Sequence, residues 1–294
     1  MRVLVVEDEA KLAGLERFIV HDGDQRRLEA CQSPVWDTAL SVIALTDAGV
    51  AADDPAVVRG ADWLLGEQVE GRGDWAVRRP DLPGGAWSFE FDNDVYPDTD
   101  DTAEVVLALR RARHPDPARV EAAIARGVRW TAGMQSEGGG WGAFDADNVR
   151  ELCRDIPFCD FGEVIDDPSA DVTAHVVEML AAEGPGFAAS TRTGAAWLAA
   201  QQEPDGSWFG RWGVNHVYGT GAAVPALVAA GTPTSDPGLQ RARAWLVSVQ
   251  NGDGGWDEPQ YTGTGFPGDF YINYELYRLV FPVMALGRWV RSST

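Results

Sequence analysis

Cysteine is scarce in this chain, with Cys31, Cys153 and Cys159 its only three thiols. Three cysteines cannot frame a disulfide-stapled fold, and they fit a reducing compartment. Positive charge is scarce too. The 24 basic residues face 45 acidic ones, leaving a net charge of −21 and a pI near 4.4. That argues against nucleic acid as a partner and against electrostatic docking on anionic lipid. Contact with a membrane surface through an apolar patch stays open. No run approaches 18 apolar residues, so no segment is expected to span a bilayer. The first residues carry Glu7, Asp8 and Glu9, which argues against a signal peptide. No glycine-rich loop runs into Lys and Ser or Thr, and no cofactor is expected.

Tryptophan and glycine, by contrast, are plentiful, at 12 and 33 residues, and 45% hydrophobic content suffices for one large domain or two small ones. Many of the tryptophans fall into a repeat. Arg59-Gly60 precedes Trp63-Leu64, Gln68 and Gly73-Asp74-Trp75. Arg126-Gly127 precedes Trp130, Gln135 and Gly139-Gly140-Trp141. Thr193-Gly194 precedes Trp197-Leu198, Gln202 and Gly206-Ser207-Trp208. Arg241-Ala242 precedes Trp245-Leu246, Gln250 and Gly254-Gly255-Trp256. Each unit reads as a helix up to its glutamine, stopped by the glycines that follow. The last tryptophan is expected to cover a helix end, and the glutamine to satisfy terminal backbone groups.

Between the units lie more apolar helices: Val35–Val50, Asp100–Ala112, Asp171–Ala182, Val217–Ala230 and Phe270–Trp289. Their apolar residues occupy more than one face, so burial on both sides is expected. Exposed and buried helices alternating along the chain predict an all-α protein, an α/α barrel of inner and outer helices. Residues 1–16 read as a separate lead whose Arg2–Glu9 stretch resembles the start of a response-regulator receiver, with no receiver domain following. Residues 17–294 read as the barrel.

The most informative stretch is Tyr96-Pro97-Asp98-Thr99-Asp100-Asp101-Thr102, directly after Trp87, Phe89 and Phe91. A solvated charge cluster does not need aromatic neighbours. Crowding and burial both raise carboxyl pKa values, so the pattern points to a carboxylic acid kept protonated beside an apolar molecule. Its plainer reading is an acidic helix N-terminus. Asp100-Asp101-Thr102-Ala103-Glu104 also has the look of a metal-binding diphosphate motif, but the preceding Asp98 favours proton-initiated chemistry.

Together these segments resemble the squalene–hopene cyclases, class II terpene cyclases of the triterpene type, from about Leu12 to Trp289. The resemblance rests on Ser33–Thr38, Asp98-Thr99-Asp100-Asp101, Gly139–Asp145, Ile156–Glu163, Asp171–His175, Gly210–Asn215 and Gly265–Tyr271, which occur in family order. Phe144 and His216 stand where some relatives have tyrosine. Family members have two barrels with the reaction cavity between them, and only the barrel with the acid motif is matched.

The resemblance implies Asp100 as proton donor, with Asp98 and Asp101 orienting its proton. It implies that His175, as imidazolium, stabilises the carboxylate left behind. It places Phe89, Trp212, Phe266 and Phe270 in the cavity wall, with Trp36, Tyr218, Tyr274 and Tyr277 as second-wall or support positions and Phe144 in the same substrate-binding set, and it needs no metal. The expected activity is protonation-initiated cyclisation of a linear isoprenoid, squalene to a hopene- or hopanol-type triterpene. Two alternatives stay open. A truncated or split half would bind isoprenoid, or need a partner barrel or a second copy, and would show a large exposed apolar face opposite the Asp98–Asp101 end. A class II cyclase of a prenyl diphosphate would depend on magnesium. A cytoplasmic protein in peripheral contact with a membrane is expected.

Overall fold

A computed structural model describes residues 16, 19–28, 32–91, 93–150, 165–213, 215–259 and 276–292. A short antiparallel hairpin, β1 (Ile19–Asp22) and β2 (Gln25–Leu28), comes first; the sequence reading assigned this stretch to the barrel without strands. Nine helices follow among the described residues. They are α1 (Pro34–Asp47), α2 (Pro55–Gly66), α3 (Thr99–Arg111), α4 (Pro117–Gly133), α5 (Ala170–Ala182), α6 (Ala188–Ala200), α7 (His216–Ala229), α8 (Pro237–Ser248) and α9 (Tyr277–Ser292). The odd-numbered helices pack each on the next as an inner row, and the even-numbered ones lie outside against their sequence neighbours. The architecture is the expected α/α barrel. None of these helices is long and apolar enough to cross a membrane.

Local sequence explains the alternation. Outer helices α2, α4 and α8 open on Asp-Pro. The side chains of Asp54, Asp116 and Asp236 accept from backbone N–H groups of the first turn, and proline needs no partner there. Each outer helix buries one stripe, such as Val57, Ala61, Leu64 and Leu65 on α2. Inner α3 is buried from Thr99 through Leu109, and α7 from Val217 through Leu227.

Burial on both sides, expected for all five inner helices, fails for the two at the ends of the row. Helix α1 buries Val35, Trp36, Ala39, Val42 and Ile43. Helix α9 buries Phe281, Pro282, Ala285 and Trp289 while Leu279, Val280, Val283 and Val290 stay exposed. Large apolar side chains are also exposed just before the acid motif, at Phe91, Val95 and Tyr96. Exposed apolar residues thus occur along α9 and beside the acid motif, with others, such as Val77, Val149, Phe209 and Val247, elsewhere on the described surface.

The repeat is a set of joints. In every unit the indole N–H donates to a carbonyl in the last turn of an outer helix: Trp87 to Leu64, Trp141 to Thr131, Trp208 to Leu198 and Trp256 to Leu246, at 2.6–2.9 Å. The backbone N–H groups of Trp87, Trp141 and Trp208 donate to Thr102, Thr173 and Thr220 in the first turns of α3, α5 and α7. One tryptophan thus ties the end of an outer helix to the start of the next inner one. The glutamine amides donate to Gly85, Gly139, Gly206 and Gly254, each two residues before its tryptophan and each at positive φ, a conformation that favours glycine. Gln68, Gln135 and Gln202 also donate to a carbonyl of the next outer helix.

This corrects the first unit. Its joint is Trp87, not Trp75. Trp75 sits in a 3-10 turn, edge-on to Trp130 at 5.8 Å. The other three units place the tryptophan six residues after the glutamine, whereas Trp75 follows Gln68 by seven and Trp87 by 19. An insertion separates glutamine from tryptophan, and the nearby Gly-Asp-Trp mimics the motif.

Candidate active site

The joint at Trp87 delivers the acid. Trp87 O accepts from Asp98 N–H at 2.8 Å, which fixes where α3 begins. Asp98 is the N-cap, and its Oδ1 accepts from the N–H groups of Asp100 (2.7 Å) and Asp101 (3.4 Å). Its Oδ1 thus caps the helix, as the plainer reading of this segment expects. Thr99 binds the next loop, with N–H to Ala143 O and hydroxyl to Gly142 O. Asp98, Asp100 and Asp101 are all buried.

His175, one turn into α5, meets them from across the inner row. Its Nδ1 hydrogen-bonds Oδ1 of Asp100, and Nε2 lies 4.0 Å from Oε1 of Glu104. Burial alone would suppress the imidazolium, but the charges of Asp100, Glu104 and Asp171 outweigh it and lift its pKa to about 10. Burial pushes the carboxyls up: Asp98 and Asp101 rise well above the usual range, helped by their neighbours' charges, and Asp171 rises as well. Oδ1 of Asp101 and Oδ1 of Asp171 are buried and accept no hydrogen bond from the protein. His175 is thus shifted toward its protonated form, beside Asp98, Asp101 and Asp171, whose carboxyls burial shifts toward the neutral form.

The squalene-hopene cyclase C-terminal domain model matches residues 32–259 and 253–291 of this sequence. The chain belongs to that family. It is 46% identical to the squalene–hopene cyclase of Alicyclobacillus acidocaldarius, over 95% of this chain and 54% of that protein. It is 38% identical to the enzyme of that name from Bradyrhizobium diazoefficiens, over 94% of this chain and 51% of the relative. The chain spans about half the length of the curated relatives it matches. Among solved structures it resembles a type II terpene cyclase from Scytonema, with a TM-score of 0.51 at 20% identity, covering 86% of this chain and 62% of that one. It also resembles a Klebsiella pneumoniae protein described as a possible member of the GH105 family, with a TM-score of 0.55 at 14% identity over 87% and 70% of the two chains. Those two likenesses establish the fold alone.

In the squalene–hopene cyclase domain, two aromatic groups among the described residues lie at the acid cluster and its loops. Trp36, Tyr218 and Phe281 form one buried cluster from α1, α7 and α9, with Phe89 and Tyr277 packed against it. Ring centroids of Trp36, Phe281 and Tyr218 lie 5.5, 6.1 and 6.2 Å from that of His175. Trp36 and Tyr218, expected as second-wall or support positions, are buried beside the imidazole. The second group is Phe144 edge-on to Trp212 at 5.7 Å, both half-buried. Asp166 fixes this pair: its carboxylate accepts from the N–H groups of Ala143, Phe144 and Asp145 and lies 3.4 Å from Arg211. Arg211 stands over the Trp212 ring, while Oδ2 of Asp171 accepts from Trp212 N–H at 2.7 Å. Phe266, Phe270 and Tyr274 lie outside the described residues, as do Ile156–Glu163, Gly265–Tyr271 and all three cysteines.

Sequence reasoning missed Phe281, Asp166 and Asp171 as site residues, and passed over Glu104. Asp171 opens the His175 block and Glu104 follows Asp100 by one turn, so both carried a spacing signal. Phe281 carried none.

Proposed function

We propose that this chain is the acid-bearing barrel of a cyclase that closes a linear isoprenoid, squalene to a hopene-type triterpene, by protonating a terminal alkene. The hydrogen bond from His175 to Asp100 at the buried start of α3 carries this reading. Asp100 passes its proton to the alkene, and a carbocation forms at the more substituted carbon. The carboxylate left behind is stabilised by the His175 imidazolium, both groups being buried. The half-buried faces of Phe144, Trp212, Phe89 and Tyr277 offer electron density to the migrating cation without attacking it. A face of this kind contributes about 0.5–2 kcal/mol or more when desolvated. Asp98 caps the helix start, and burial shifts the carboxyls of Asp98 and Asp101 toward their neutral form, which lessens the charge competing with the cation.

A second reading is that the barrel works only with a partner barrel supplied in trans. The exposed apolar residues of α9 support it; the same residues suit peripheral contact with the bilayer that would hold such a substrate. The test is incubation with squalene in detergent, with products read by gas chromatography–mass spectrometry, alone and with a second barrel added. Triterpene from either mixture, abolished by Asp100→Asn and insensitive to magnesium chelation, is the expected result. Product retained in the variant sinks the acid assignment; strict magnesium dependence points to a diphosphate substrate instead.

A further inference from the structure

Glu104 stands one turn beyond Asp100 on α3, and the proposed reaction makes no use of it. It is 4% exposed, in the middle of a helix buried on every side. A carboxylate at that depth is costly unless charge compensates it. The charge within reach is the far edge of His175, with Nε2 at 4.0 Å from Oε1 of Glu104. The imidazole therefore sits between two carboxyl groups of one helix, Asp100 in front and Glu104 behind.

Behind Glu104 lies a narrow recess of about 10 Å³, room for about one water and open toward solvent, whose charged lining is Glu104, His175, Arg111, Glu178 and Arg288. Arg288 lies 3.6 Å from Glu178 and 3.3 Å from Asp47, and Arg111 lies 3.6 Å from Asp47. Side-chain exposure falls along this line, from 32% at Asp47 to 20% at Arg111 and Arg288, 15% at Glu178 and 6% at Glu104. Charged groups of decreasing exposure thus lead from Asp47, Arg111 and Arg288 near helix ends through Glu178 to Glu104 and His175.

We propose that Glu104 is a positioning residue, which holds His175 from the rear as an imidazolium with its Nδ1–H fixed on Asp100. The remaining neighbours of the imidazole are Asp171 on its own helix, Tyr218 from α7, and the uncharged rings of Trp36 and Phe281. The charges facing Glu104 are Glu178, Arg111 and, through Glu178, Arg288. In this arrangement the arginines and Asp47 neutralise the rear of this series, so that Glu104 acts on His175. The recess lets solvent set the charge of Glu104 from the end away from the aromatic walls. The consequence for turnover rests on Asp100 being the acid; the effect on His175 does not.

The test is ¹⁵N NMR titration of the histidine side chains in the full chain without substrate, the His175 signal being assigned by its loss in His175→Gln. At 4.0 Å and an effective dielectric of about 20, removing the Glu104 charge weakens imidazole protonation by up to about 1,000-fold. The His175 midpoint, about 10 in the parent, is expected to fall by about one to three pH units in Glu104→Gln. Glu104→Asp retains the charge farther from Nε2, so an intermediate midpoint is expected. It decides the matter should the glutamine variant fail to fold by circular dichroism. An unchanged midpoint in the folded variant overturns the proposal while leaving the Asp100 assignment intact. A chain that turns over no squalene still yields the titration.

Discussion

The interlocking of the repeats makes one glycine behave against the usual rule. Glycine in a helix interior costs about 1 kcal/mol relative to alanine, so Gly→Ala commonly stabilises. Gly194 in α6 is different. A Cβ there would lie 2.6 Å from Cζ3 of Trp141 and 2.8 Å from Cγ2 of Val177. Neither neighbour has room to move. Trp141 and Val177 are fully buried, the indole N–H is bonded to Thr131 O and the backbone N–H of Trp141 to the Thr173 hydroxyl. Overpacking of this kind costs about 1–3 kcal/mol, occasionally more, which offsets or exceeds the helix gain. Gly287 in α9 has nothing within 4 Å of its added Cβ and serves as the control. Urea unfolding is expected to show Gly287→Ala more stable than the parent by up to about 1 kcal/mol and Gly194→Ala less stable by up to about 2 kcal/mol. If Gly194→Ala gains as much as Gly287→Ala, the tryptophan joint is not tightly packed and the interlock argument fails.

Three further outcomes are expected. The folded-state pKa of Glu104, about 7, lies above its ordinary 4.5, so folding favours its protonated form. Its stabilisation is full below pH 4.5 and fades as pH rises to about 7, a loss of about 3 kcal/mol; urea unfolding of the parent against Glu104→Gln at pH 4.5 and pH 8 reads the difference. Turnover should fall as pH rises through about 10, where His175 loses its proton, and His175→Gln should be severely impaired at every pH; a variant as active as the parent would remove His175 from the mechanism. Thr173→Val, which deletes the hydroxyl acceptor of the buried Trp141 N–H, should lower stability by about 1–3 kcal/mol in thermal or urea unfolding.

Much of the barrel was legible because its repeats carry geometric duties. The glutamine and tryptophan of three units fall at one spacing, since each pair must span the same turn between an outer and an inner helix. The first unit misled because its insertion supplies a decoy at Trp75, and only the contact from Trp87 to Leu64 identifies the true joint. Asp98, Asp100, Asp101 and His175 could be found because a helix start places the aspartates together and His175 falls within the Asp171 block. What sequence order could not give was the meeting of different inner helices. The packing of Phe281 on His175, the hold of Asp166 on Phe144 and the seat of Glu104 behind the imidazole all depend on contacts across the barrel. Burial misled as well: the end helices α1 and α9 are apolar enough to read as doubly buried, and each leaves one side open.

The most direct measurement is turnover of squalene in deuterium oxide, with or without an added second barrel, followed by mass spectrometry of the product. If Asp100 is the donor, its exchangeable hydrogen comes from solvent. Each cyclised molecule should then carry one deuterium from initiation, and Asp100→Asn should give no cyclised product. Cyclised product without deuterium, or an Asp100→Asn variant as active as the parent, would contradict the assignment of Asp100 as the initiating acid.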